Sequence, residues 1–235
     1  MWTSIKGKVL KTAFIDTLPI LAAYIILGMG FGVLMSDAGY PLFFVLLMSI
    51  VIFAGSMQYV AVSLLAAKAS PATALLMTFL VNARHLFYGL SMLERYENTG
   101  KVKPYLIFGL TDETYSLVCS QPHVKNENRT AYFFTVTLLN HLYWIAGGAI
   151  GNVLGSALPF NSKGIEFSMT ALFTVIFLEQ WKETKDHAPA LIGIAATAVS
   201  RIVFGSEHFL IAAMIIIAVS LLLLLSRRKE DEHFA

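Results

Sequence analysis

The chain has 235 residues, 57% of them hydrophobic and 14% charged, against roughly 45–50% and about 25% in soluble domains. With a mean hydropathy of +0.68, this composition excludes an ordinary soluble domain and reads as an all-α, polytopic integral membrane protein. A net charge of +2 is too small to suggest nucleic acid, and the lone Cys119 leaves no intrachain disulfide and points to no metal or cofactor.

At the amino terminus Lys6, Lys8 and Lys11 precede an apolar run from about Thr12 to Leu34. No small-residue cleavage site follows a short apolar core, so the run reads as a first membrane span rather than a signal peptide. Its alternate glycines, Gly28, Gly30 and Gly32, either allow close helix packing or let the helix unwind and expose backbone groups. Asp37, Gly39 and Pro41 then make a short loop.

The second span, about Pro41 to Leu65, carries Phe53-Ala54-Gly55-Ser56-Met57-Gln58. Small residues followed by a glutamine in mid-span fit a break with a polar lining, or interhelical hydrogen bonds from Ser56 and Gln58. After a turn at Lys68 to Pro71, the third span holds Asn82-Ala83-Arg84-His85, with Asn82 and His85 on one helix face. An arginine at the bilayer centre costs from about 2.5 to more than 10 kcal/mol and needs a carboxylate or a water-filled cavity. The alternative is a helix end from which Arg84 snorkels to the headgroups.

A polar loop, Glu94 to Lys103, leads into a short fourth span of about Tyr105 to Gln121, with Thr111-Asp112-Glu113-Thr114 near its middle. Two adjacent acids in so short an apolar segment are expected to pair with a cation, Arg84 first of all, or to belong to an ion path. After a loop at His123 to Arg129, the fifth span, about Thr130 to Leu154, contains Asn140-His141 and Gly147, Gly148 and Gly151. Its His141-Leu142-Tyr143-Trp144 echoes His85-Leu86-Phe87-Tyr88, a four-residue trace of an internal repeat. A sixth span of about Phe167 to Phe177, a seventh of about Ala188 to Phe204 with Arg201, and a plain apolar run from His208 to Leu225 complete about seven to eight helices.

With the amino terminus inside, most basic residues outside the spans fall on the cytoplasmic side, which places both termini there. Arg95, Lys101 and Lys103 are the exception. The whole chain is read as one transmembrane permease domain, residues 1–235.

Four blocks, Gly28-Met29-Gly30-Phe31-Gly32, Phe53 to Gln58, Asn82 to Tyr88 and Thr111-Asp112-Glu113, taken in this order and spacing, resemble the AzlC family, the large subunit of branched-chain amino-acid exporters. The resemblance covers the first half of the chain by motif and the rest by length and hydropathy. It implies a permease of the bacterial inner membrane that exports valine, leucine, isoleucine or analogues. It also implies a small membrane subunit of the AzlD type as partner, and no catalytic residues.

An amino-acid zwitterion needs donors for its carboxylate and acceptors for its ammonium, and a broken helix supplies both. Gly28, Gly30, Gly32, Gly55, Ser56, Gln58 and Asn82 are accordingly the expected substrate-binding positions. Arg84, His85, Asp112, Glu113 and His141 are the expected charge or proton path, with histidine as relay because it titrates near neutrality. Phe31, Phe53 and Met57 are expected to offer the apolar pocket. Gly147-Gly148-x-x-Gly151 and Ala195-Ala196-x-Ala198 are expected to admit a partner helix. A membrane-embedded hydrolase lacks support, since no His-Glu-x-x-His spacing occurs. A channel or structural assembly subunit is the alternative reading.

Overall fold

A computed structural model describes residues 2–119, 129–157 and 185–234, together with 164, 167, 170, 174, 177, 178, 181 and 182. The chain divides into two compact units, 1–170 and 171–235, and the regular elements among the described residues are all helical. Most of the expected sixth span, 167–177, and of the loop at 123–129 lies outside the described residues.

Two long helices carry the first unit: α1 (Trp2–Asp37), with 36 residues, and α8 (Arg129–Ala157), with 29. At about 1.5 Å per residue each exceeds the roughly 30 Å of a hydrocarbon core. Between them the chain forms three pairs of short helices. The first is α2 (Leu42–Val51) with α3 (Gly55–Ala66), and the second is α4 (Pro71–Asn82) with α5 (Arg84–Met92). The third is α6 (Lys103–Phe108), entered from a 3₁₀ turn at Gly100–Val102, with α7 (Asp112–Cys119). Each pair occupies the length of one expected span, so the second, third and fourth spans are interrupted helices. The interruptions fall at Ile52 to Ala54, at Ala83 and at Gly109 to Thr111, inside the three polar motifs. Helix α4 starts cleanly because Ser70 accepts from the Thr73 amide at 3.1 Å and Pro71 fills the first helical position, where a missing N–H costs nothing.

The first span behaves differently. Helix α1 runs through Gly28, Gly30 and Gly32 without interruption, so these residues free no backbone groups, and the unwinding reading is corrected to close packing. A Cβ at Gly28 would sit 3.0 Å from the Gly147 Cα, one at Gly32 would sit 2.1 Å from the Gly148 oxygen, and one at Gly151 would sit 2.1 Å from the Met29 oxygen. Helices α1 and α8 are therefore in backbone contact along a glycine seam. The Gly147-Gly148-Gly151 face expected to receive a partner's helix is covered by α1 of the same chain. Polar bonds extend the seam in both directions. The Tyr132 hydroxyl donates to Asp16 at 2.7 Å, and Asn152 Nδ2 donates to the Tyr40 carbonyl at 3.1 Å.

In the second unit, α9 (Ala188–Phe234) is interrupted at Gly205, whose φ of 70° and ψ of −172° are non-helical. Arg201 lies before the kink with its guanidinium 5.5 Å from the Phe209 ring centre beyond it. Of the second small-residue face, Ala196 is buried while Ala195 and Ala198 are exposed. Among the described residues, Lys8–Asp37, Arg129–Ala157 and Ala188–Gly205 are each long and apolar enough to cross a membrane unaided.

The seam predicts a contrast between glycines. Gly32→Ala or Gly151→Ala should lower thermal stability by about 1–3 kcal/mol or more through overpacking. Gly193→Ala, with nothing within 4 Å of its added Cβ, should be neutral or stabilising by about 0.5–1 kcal/mol. Melting of the detergent-purified chain followed by size exclusion measures both.

Candidate functional site

The α2/α3 interruption turns on Phe53, which holds a left-handed φ of 41°. That conformation costs of order 1–3 kcal/mol for a non-glycine residue. It persists because the buried Phe53 ring stacks on His141 at 4.2 Å. The same imidazole closes the end of α2: its Nε2 lies 3.0 Å from the Ser49 carbonyl, and its Nδ1 lies 3.1 Å from the Tyr105 hydroxyl. A carbonyl only accepts, so Nε2 carries the proton and Nδ1 accepts from Tyr105. His141 thus braces the break, its two ring nitrogens directed at Ser49 and Tyr105.

Beyond that break α3 begins at Gly55, and its N-cap Ala54 offers no side-chain bond. Asn82 ends α4, and Arg84 is the first residue of α5. At the third interruption Thr111 caps α7, its Oγ1 accepting from the Thr114 amide at 3.2 Å. Asp112 and Glu113 then occupy the first turn of α7, where the helix dipole favours negative charge.

These three helix starts meet on one guanidinium. Arg84 Nη1 lies 2.6 Å from Asp112 Oδ2, and Nη2 donates to Ser56 Oγ at 2.6 Å. The first turns of α3, α5 and α7 are joined through it. With their side chains 29% and 22% exposed, Arg84 and Asp112 form the expected partly buried pair, and the arginine is turned inward rather than stretched away as a snorkel would be.

Glu113 has a partner of its own. Its Oε2 accepts from the buried Tyr24 hydroxyl of α1 at 2.6 Å, and the same hydroxyl lies 2.8 Å from Thr111 Oγ1. Helix α8 adds Asn140, whose Nδ2 donates to Thr114 at 2.9 Å, and Trp144, whose Nε1 donates to Gln58 Oε1 at 2.8 Å. Among the described residues, Gln58 Nε2, Asn82 Oδ1 and Asn140 Oδ1 are buried without a hydrogen-bond partner. Buried polar atoms left unpaired are uncommon and call for a reason.

Of the expected binding positions, Gly55, Ser56, Gln58 and Asn82 lie at the breaks, whereas Gly28 and Gly32 pack against α8 and Gly30 is half-buried on α1. His85 has Nδ1 3.2 Å from the Asn82 carbonyl and borders a cavity. The apolar pocket expected around Phe31, Phe53 and Met57 is not open there. All three are buried, Phe31 against Trp144 and Phe53 against His141. An apolar cavity of about 560 Å³ lies instead between α5 and α6, lined by His85, Leu86, Leu90, Tyr96, Lys103 and Ile107 among others.

Tyr24, Thr111, Asn140 and Trp144 escaped the reading of the sequence as site residues. The available signal was chemical: an indole N–H or a phenol in mid-span usually finds an acceptor when buried.

Taken together, the fold and site define a helical membrane protein in which three interrupted helices, braced by two continuous ones, hold an ion pair and unsatisfied amides at their breaks. Residues 19–158 match the family model described as AzlC protein, a stretch that includes all three breaks and α8. The chain belongs to the AzlC family. It is 47% identical to the branched-chain amino acid transport protein AzlC of Bacillus subtilis over 88% of this chain and 82% of that one. It is also 43% identical to an uncharacterized membrane protein of Helicobacter pylori, covering 89% and 92% of the two chains. With the inner membrane protein YgaZ of Escherichia coli it shares 30% identity over 77% and 78%. No solved structure matches the chain.

The ion pair predicts non-additive loss. Arg84→Gln and Asp112→Asn should each reduce folded yield, because each strands a partly buried charge. The double variant should recover about 0.5–3 kcal/mol relative to the sum, as contacting residues do, read from thermal melts in detergent.

Proposed function

We propose that this chain, acting as a single transmembrane permease domain, exports valine, leucine, isoleucine or analogues across the bacterial inner membrane by exchange for protons, together with a small AzlD-type membrane subunit. The observation that carries the substrate class is the likeness, at 47% identity over most of both chains, to a protein named for branched-chain amino acid transport. The geometry supports the same reading. A transported zwitterion must shed water and meet replacement partners inside the membrane. Interrupted helices provide them near mid-span, as half-helix N-termini and carbonyl ends.

Gly55, Ser56, Gln58 and Asn82 line the breaks and supply the substrate's hydrogen bonds. Arg84 and Asp112 hold the three half-helices in one arrangement, and opening this pair is the switch that lets the site face the other side. Glu113, whose carboxylate accepts from the buried Tyr24 hydroxyl, is the group best placed to carry the driving proton. Both termini lie in the cytoplasm.

Everted membrane vesicles from cells making this chain with the small subunit should accumulate labelled leucine above the outside concentration while their interior is acid. Collapsing the proton gradient should end the accumulation, and omitting the small subunit should remove most of it. Equilibration without accumulation would mark a channel. Normal transport by Gly55→Leu at normal folded yield would remove the α2/α3 break from the pathway, since a Cβ there already comes 2.9 Å from the Trp144 ring.

A further inference from the structure

We propose that Trp144 sets the polarity of the substrate site: by holding the Gln58 carboxamide in one orientation, it makes the first turn of α3 the end that receives the substrate's carboxylate. The inference rests on the amino-acid reading above and adds to it which end of the zwitterion goes where, and which residue of α8 decides it.

An indole N–H donates and cannot accept. Its bond to Gln58, at 2.8 Å, is therefore made to the amide oxygen and fixes the flip of the side chain. The amide nitrogen is turned the other way, and in a residue that is 0% exposed this Nε2 is left without a partner among the described residues. Gln58 is the fourth residue of α3, a helix of 12 residues whose N-cap Ala54 contributes no side-chain bond. The uncapped first-turn N–H groups and the positive end of the helix dipole favour an anion at the same end. Arg84 reaches Ser56 in this turn but is already neutralised by Asp112, so the anion is read mainly by neutral donors.

The tryptophan cannot easily release the amide. Its ring stacks on Phe31 with centroids 6.3 Å apart and planes at 20°, and Tyr24 meets it edge-on at 5.5 Å. Gly55 is the space into which the ring fits, since a Cβ there would meet it at 2.9 Å. The complementary end is acceptor-rich. Asn82, whose Oδ1 is buried and unpartnered among the described residues, is the last residue of α4. Asn140 commits its Nδ2 to Thr114 and leaves its oxygen unpaired among the same residues. Donors at the start of α3 and acceptors at the end of α4 and on α8 together match a carboxylate at one end and an ammonium at the other.

The test pairs two ligands with two variants of the full chain, made together with the small subunit, in de-energised membranes, with folded amounts equalised by size exclusion. The probes are labelled leucine and labelled leucinol, each measured by direct binding; leucinol keeps the ammonium and lacks the carboxylate. Trp144→Phe keeps an aromatic ring but frees the Gln58 amide to turn. It should weaken leucine about tenfold, the size of one hydrogen bond to a charged group, and leave leucinol unchanged. Gln58→Glu still accepts from the indole but presents an oxygen in place of the NH₂, so it should abolish leucine binding and strengthen leucinol binding. Equal loss of both ligands in Trp144→Phe, or loss of neither, would overturn the inference, as would intact leucine binding in Gln58→Glu. Should Trp144→Phe fail to fold, the Gln58→Glu comparison decides alone. If the unaltered chain binds none of leucine, valine or isoleucine, the transport reading itself fails and this inference with it.

Discussion

Backbone contact between α1 and α8 sets the position of the other elements of the first unit. Lipid tails are as apolar as leucine, so helices in a bilayer gain little from burying apolar side chains against each other and rely on packing and polar contacts. Gly28 and Gly32 on one helix and Gly147, Gly148 and Gly151 on the other bring the backbones together where any side chain would collide. Once α8 is held there, one stretch of it meets two of the three interrupted helices, α2/α3 and α6/α7. Thr137 lies where Gly109 leaves room, Asn140 bonds Thr114, His141 closes the end of α2, and Trp144 covers Gly55 and holds Gln58.

Interrupting a helix in hydrocarbon frees amides and carbonyls that water cannot reach, each costing several kcal/mol if left alone. The chain offsets these one at a time. His141 takes the Ser49 carbonyl, Thr111 takes the Thr114 amide, and the acids of α7 sit where its dipole favours them. The arginine needed to join the three half-helices is neutralised by Asp112. After this accounting the unpaired atoms at the breaks, among the described residues, include the side-chain amides of Gln58, Asn82 and Asn140 beside Asp112 Oδ1. A purely structural arrangement would gain by pairing or replacing them, because a buried donor or acceptor without a partner costs about 1–3 kcal/mol. Their persistence at the breaks fits a site that a polar ligand completes.

The break in the second span was visible as small and polar residues, Phe53 to Gln58, inside an apolar run, a contrast that needs no partner to be read, whereas Asn82 to His85 and Thr111 to Thr114 stood out as polar intrusions without marking a break. Gly28 to Gly32 supported two readings because a missing side chain both loosens a helix and lets another approach. The glycines of α8, a hundred and more residues further on, select the second. The aromatic residues beside the breaks suggested an open apolar pocket by proximity along the chain. Phe31 and Phe53 are instead filled in by Trp144 and His141 from α8, and an apolar cavity lies between α5 and α6.

Hydropathy and motif order were therefore enough for the helical membrane class, the family, the break in the second span and the pairing of Arg84 with a carboxylate, because each follows from residues near one another or from the cost of a charge in lipid. Which atoms face each other was decided only in three dimensions. Glu113 finds Tyr24 across 89 positions and Gln58 finds Trp144 across 86. Such pairings depend on how far α1 and α8 approach and on how each half-helix is turned against them, and a linear pattern of apolar and polar residues carries neither quantity.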